Sequence, residues 1–204
     1  MWVKSLNINN LRNISSTRLE LNPCLNCFIG GNGAGKTSVL EALAVLSKGR
    51  SFRSGQIASL IGPENNHFQV VTQVENMNGD VHQLGMERGV DYWKARHNGQ
   101  DVSQLSELTE RLPYVLLAPS SHTLISGPPE GRRNYLDWGV FHVKHEFLTL
   151  WRRYSRALKQ RNAALRQKNT LMVESLEPQL VDLGESLHQA RQIHADRLSE
   201  MLEE

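Results

Sequence analysis

An α/β fold is predicted, a phosphate-binding head followed by an α-helical arm, and three observations point to it. The stretch CFIGGNGAGKTSVLEALA (27–44) passes from an apolar run through a glycine-rich turn into amphipathic helical spacing. Residues 67–97 hold short strand-like segments separated by turn residues. From about residue 144 the apolar positions recur at three-and-four spacing, interrupted only near KNTL.

Taken in order, residues 2–8 and 16–21 are partly alternating and rich in Val, Leu and Ile, and the polar NNLRNISS between them makes them an expected antiparallel pair. Residues 25–29 are a third apolar run, expected as a strand feeding the glycine loop. The helix after the loop is expected to bury Val39, Leu40, Leu43, Ala44 and Leu46 and to stop near Gly49. HFQVVTQVE, DVHQLGMER and VDYWKARHN predict a small antiparallel sheet with turns at NMNGD and RGV. YVLLAP (114–119) reads as a strand buried on both faces. SGPPEG then opens a helix carrying RRNYLDW, with proline at a first turn whose amides lack partners in any case.

The remainder is expected to be two long helices packed as a hairpin. One stripe is Phe147, Trp151, Tyr154 and Leu158, and the other is Leu176, Leu180, Leu183 and Leu187. DRLSEMLEE carries no helix-stop residue, so the chain is expected to be a fragment cut within that arm. The domain boundaries follow: 1–142 for the head portion and 143–204 for the start of the arm.

The 204 residues carry a net charge of only +2, so any case for nucleic acid must rest on local patterning. The arm supplies such a pattern. Residues 144–170 hold eight basic residues and one acidic, +7, whereas 171–204 hold two basic and eight acidic, −6. Either the two helices form a salt-laced seam, or the basic one lies along a phosphate backbone. The N-terminus has no signal-like apolar core and no run of about 18 apolar residues follows, which predicts a cytoplasmic protein. Cys24 and Cys27 form a CxxC without a second ligand pair, and two reduced strand cysteines are expected.

The chemistry lies in Gly30-Gly31-Asn32-Gly33-Ala34-Gly35-Lys36-Thr37, which fits G-x-x-x-x-G-K-[ST]. Glycines permit backbone conformations a side chain forbids and let successive amides point at a phosphate. The following helix, entered through Thr37 and Ser38, presents its free amides to the same anion. Lys36 is the candidate for the β and γ oxygens and the catalytic contact, and Thr37 for Mg²⁺. Arg12, Lys48, Arg50 and Arg53 are further cations near the loop in sequence, Arg12 being the candidate nucleotide contact. Hydrolysis also needs an acid at the end of an apolar strand and a group to position water. No run of four apolar residues followed by Asp or Glu comes after Lys36 in a strand context, since NYLDWG and QLVDLGES read as helical.

Together, NLRN (10–13), GGNGAGKTSVLEAL (30–43), GRSFRS (49–54), SGPPEGRRNYLDW (126–138) and LKQRNAALRQ (158–167) resemble the RecF family of bacterial repair proteins, which have an ABC/SMC-type ATPase head. The resemblance runs along essentially the whole chain. It implies a head that binds ATP and Mg²⁺ and dimerises when ATP is bound. It also implies association with single-stranded and gapped or double-stranded DNA, and action with RecO and RecR to load RecA at gaps, supporting replication-fork recovery and the SOS response. In that family an inserted helical arm separates the phosphate loop from the signature and Walker B motifs, neither of which this chain carries. Two other classes share the loop. A GTPase would want N-K-x-D and a metabolite kinase a lid with a nearby acid, while a transporter ATPase subunit would carry LSGGQ without a basic arm; none of these is present.

Overall fold

Alternation of inward apolar and outward polar residues builds one six-stranded sheet. Its strands are β1 (Trp2–Leu11), β2 (Ile14–Glu20), β3 (His67–Glu75), β4 (Val81–Gly89), β5 (Trp93–His97) and β6 (Gln100–Asp101). They pair antiparallel throughout in the order β2-β1-β3-β4-β5-β6. Leu6 and Ile8 from β1, Phe68 and Val70 from β3, and Leu84 from β4 are fully buried. A bulge between Val3 and Ser5 shifts the β1–β3 register, and the buried Thr72 hydroxyl donates to the Ser5 carbonyl there at 2.7 Å. The computed structural model describes residues 1–53, 55–144 and 146–203, which divide into two units, Met1–Val115 and the residues from Leu116 on.

In the first unit, α1 (Lys36–Lys48) packs on β1, β3 and β4 through Val39, Ala42, Val45 and Leu46. It ends at Gly49, whose left-handed φ of 68° lets its amide close onto Val45. A short helix, α2 (Leu105–Arg111), is held against α1 by two bonds: Ser47 donates to the Leu112 carbonyl in a buried contact and Thr109 to the Ser47 carbonyl in a half-buried one, both at 2.6 Å.

The second unit is helical: α3 (Thr123–Ser126), α4 (Pro129–Val143), α5 (Phe147–Arg166) and α6 (Thr170–Glu203). Proline starts α4, as expected. The hairpin of α5 and α6 is as expected too, turning at 167–169 with Lys168 at φ 56°. Phe147, Leu183 and Leu187 are buried between helices together with Ala157 and Ala164, small residues that let the backbones approach. Arg191 clamps Asp137 with two bonds, at 2.7 and 3.0 Å, tying α6 to α4. Gly139 serves the same approach, since a Cβ there would lie 2.1 Å from His194 Nε2. Among the described residues no helix is long and apolar enough to cross a membrane.

The α/β head-plus-arm class is the one expected, but several details differ. Residues 25–29 form no strand: Leu25 is 80% and Ile29 90% exposed, because β1 is already flanked by β2 and β3 and no strand among the described residues offers this run a ladder. YVLLAP is likewise irregular, with Val115 and Leu117 exposed. Cys24 and Cys27 are free and exposed in the same irregular segment rather than on a strand. The strands at 67–97 are not a separate small sheet, since β3 pairs with β1 from Gln69 to Glu75. On α1, Val39, Ala44 and Leu46 are buried as expected, but Leu43 is only half-buried and Leu40 is 45% exposed, while Glu41, Ala42 and Val45 are buried as well. Ser54, which ends the GRSFRS segment, and Glu204, the last acid of the arm, lie outside the described residues.

Candidate functional site

The glycine loop leads directly into α1, and the β1–β2 turn lies beside it. Gly33 and Gly35 take φ values of 79° and 88°, in the left-handed region where a side chain is strained, and a Cβ on Gly35 would press to 3.3 Å on Ile14. No side chain caps the N-terminus of α1 and no acid sits in its first turn, so the positive end of the helix is left to face an anion. Lys36 curls back over the loop, its ammonium donating to the carbonyls of Gly30 and Gly31 at 2.8 and 2.7 Å.

A cavity of about 700 Å³ opens over this loop, within the range of nucleotide-sized sites. Asn32, Gly33, Ala34, Gly35, Lys36, Thr37 and Ser38 line it together with Arg12, Asn13, Arg53, Ser59, Ile61 and Pro63. The fold therefore brings Arg12 to the same cavity as Lys36, as the candidate assignment requires, and adds Arg53. Gly30 and Gly31 contribute through Lys36 rather than as lining, and Lys48 and Arg50 are not among the residues lining the cavity. Lys48 instead sits over the Tyr114 ring at 4.6 Å, and burial, followed by the charge of Arg50, holds its pKa below the ordinary lysine value.

Arg12 is positioned with unusual completeness. Its backbone adopts φ 56°, unfavourable for a residue with a side chain, and its amide donates to the Leu60 carbonyl at 2.7 Å. Its guanidinium grips the Glu41 carboxylate with two bonds, at 3.0 and 2.8 Å, and donates a third to the Ser59 carbonyl at 2.7 Å. Glu41 is fully buried, and the Ser51 hydroxyl also donates to it. Burial alone would raise the Glu41 carboxyl pKa. Hydrogen bonds from Arg12 and Ser51, with the charges of Arg12 and Arg53, outweigh that and hold it below the usual carboxylate value.

Two residues of this arrangement were missed in the sequence reading. Asn13 latches the turn to the loop, donating to the Gly33 carbonyl and accepting from Ser38 at 3.1 Å; its place beside Arg12 in NLRN was the available signal. Glu41 was visible as the lone carboxylate inside the apolar run SVLEALAVL. Chemically, the cavity is a cradle of amides and cations, and no acidic side chain is among the residues lining it. That donor set fits a polyphosphate.

A family model described as an AAA ATPase domain matches residues 1–87. The DNA replication and repair protein RecF of Xanthomonas euvesicatoria pv. vesicatoria is 43% identical across 99% of this chain, and that of Stenotrophomonas maltophilia 40% across 98%. In both cases the match covers 56% of the relative, so the chain spans little more than half the length of the curated relatives it matches. Among solved structures, the recombination mediator protein RecF-ATP in the RecFOR pathway superposes with a TM-score of 0.87 at 24% identity, over 97% of this chain and 54% of that one. A second, RecF-ATPrS, gives 0.85 at 23% over 97% and 55%. These two establish the fold.

Proposed function

Since the chain is related to the N-terminal portion of RecF along nearly its whole length, we propose that it is the nucleotide-binding part of a RecF-type DNA-repair ATPase. Residues 1–142 would be the N-terminal half of the head and 143–204 the start of the arm. The observation that carries this reading is the convergence of the glycine loop, the uncapped start of α1 and the cations Arg12, Lys36 and Arg53 on one cavity. The ligand is ATP. Backbone amides from Gly30 to Ser38 hold its phosphates, Lys36 exchanges its loop carbonyls for phosphate oxygens, and Arg12 supplies a fixed positive charge. Thr37 is exposed on the first turn of α1 and would offer one hard hydroxyl oxygen to a Mg²⁺ ion, which would neutralise charge on the phosphates.

For the whole protein the reading extends to an ATP-dependent homodimer that binds single-stranded and gapped or double-stranded DNA. With RecO and RecR it helps load RecA at gaps. The relatives' role in DNA replication and repair and the basic α5 both support this.

Titration calorimetry with Mg-ATP tests the cradle. Binding is expected for the chain, and Lys36→Met, which removes the ammonium but keeps most of the side-chain volume, is expected to lower affinity at least tenfold, roughly 1.4 kcal/mol. Equal affinity in the variant would remove Lys36 from the site.

A further inference from the structure

The arm's surplus positive charge resolves into a ridge. At about 100° per residue, Arg152, Arg156, Lys159 and Arg166 fall within about 80° of arc on α5 and extend over roughly 21 Å. All four are exposed. The side of α5 that meets α6 is diametrically opposite: Ala157 and Ala164 are buried there, Tyr154 and Leu158 are half-buried, and Arg161 pairs with Glu177 at 3.0 Å. Arg161 thus belongs to the salt-laced seam, while the ridge faces away from acidic α6. No acidic residue occurs from Phe147 to Lys168, so α5 carries no negative side chain of its own.

We propose that this face of α5 is a docking surface for duplex DNA, with Arg156, Lys159 and Arg166 contacting successive phosphates and Arg152 extending the row. The inference deepens the reading of the chain as part of a DNA-repair protein and rests on it. The exposed Thr149, Asn162 and Gln167 flank the ridge as polar groups able to hydrogen-bond phosphate oxygens, and the apolar side chains within its arc are the small Ala163 and the half-buried Leu148. A protein partner would call for an apolar centre with aromatic anchors, which this face lacks. A single strand would call for aromatic platforms on which bases stack, and Trp151, the nearest exposed aromatic on α5, projects about 100° away from Arg152. A straight row of cations on a rigid helix matches the regular charge of a duplex backbone instead.

The test uses the full chain and fluorescence anisotropy, with a labelled blunt duplex and a single strand of the same length, each across a salt series. The triple substitution Arg156→Gln, Lys159→Gln, Arg166→Gln is compared with Arg18→Gln, Lys94→Gln, Arg96→Gln, an equal loss of charge on the sheet; ATP binding reports that the first unit is folded in both variants, and helical circular dichroism with its thermal melt reports the same of the second. The ridge variant is expected to reduce the slope of log affinity against log salt by about 2–3 and to weaken duplex binding on the order of a hundredfold at about 0.1 M salt. The sheet variant is expected to do neither. Unchanged duplex binding in the ridge variant, or an equal loss in the sheet variant, overturns the proposal. So does a loss confined to the single strand, or a loss of self-association in sedimentation with duplex binding intact, which would hand the ridge to the acidic helix of a second copy. If the wild-type chain binds no DNA, the DNA-repair reading falls with it; if it binds duplex and the ridge variant binds equally, only the ridge is lost.

Discussion

Arg12 shows how one side chain can serve the fold and the site together. Its guanidinium offers five N–H donors; bonds to Glu41 and Ser59 use three of its N–H groups, and the group still lines the cavity with a 22% exposed side chain. Glu41 gives the arrangement its cost, because a fully buried carboxylate is tolerable only while it is paired. Arg12→Ala is therefore expected to destabilise the chain by about 3 kcal/mol, read as a shift in urea midpoint, beyond any effect on nucleotide binding. A loss below about 1 kcal/mol would mean that Ser51 and water satisfy Glu41 unaided. The sequence showed Arg12 as a cation in a turn near the loop. That its partner lies 29 positions later, on the buried side of α1, follows from the turn folding over that helix.

The same contrast between local pattern and three-dimensional packing runs through the elements. Helix α1 was legible from its start at the glycine loop to its stop at Gly49, since glycine at both ends and three-and-four spacing are local signals. Its orientation was read a little wrongly. Leu40 fits the apolar period but lies at the rim, while Val45 and Leu46 face the sheet. Leu46→Ala is accordingly expected to cost about 2–4 kcal/mol by denaturant melting and Leu40→Ala well under half of that. Equal costs would place Leu40 in the core after all. The missing strands at 25–29 and 114–119 have a related cause. An apolar run reveals a wish to be buried, but a strand also needs neighbours for its amides and carbonyls, and the neighbours are not a local property.

Across the chain, charge and chemistry are divided between the two units. The first holds the phosphate cradle and the second the cationic ridge, with its acidic counterpart on α6. The residues lining the cavity include no carboxylate, and Glu41, which meets the lining residue Arg12, is committed to it. Phosphoryl transfer to water wants an acid to organise Mg²⁺ and a group to orient the nucleophile. The 204-residue chain is therefore expected to bind ATP without turning it over, as a phosphate-release assay would report; release that depends on Lys36 would reveal an acid supplied from within the chain.

By itself the sequence determined the phosphate loop, the α/β class and the charge imbalance of the arm, because each depends on residues close together along the chain. The tertiary structure alone decided that Arg12 meets Glu41, that Asn13 latches the loop, and that the strands at 67–97 join the N-terminal pair in one sheet. It also turned four basic side chains of α5 away from the acidic helix. Those outcomes depend on which faces pack together, and a hydrophobic period states only that a face will be buried, not what it will be buried against.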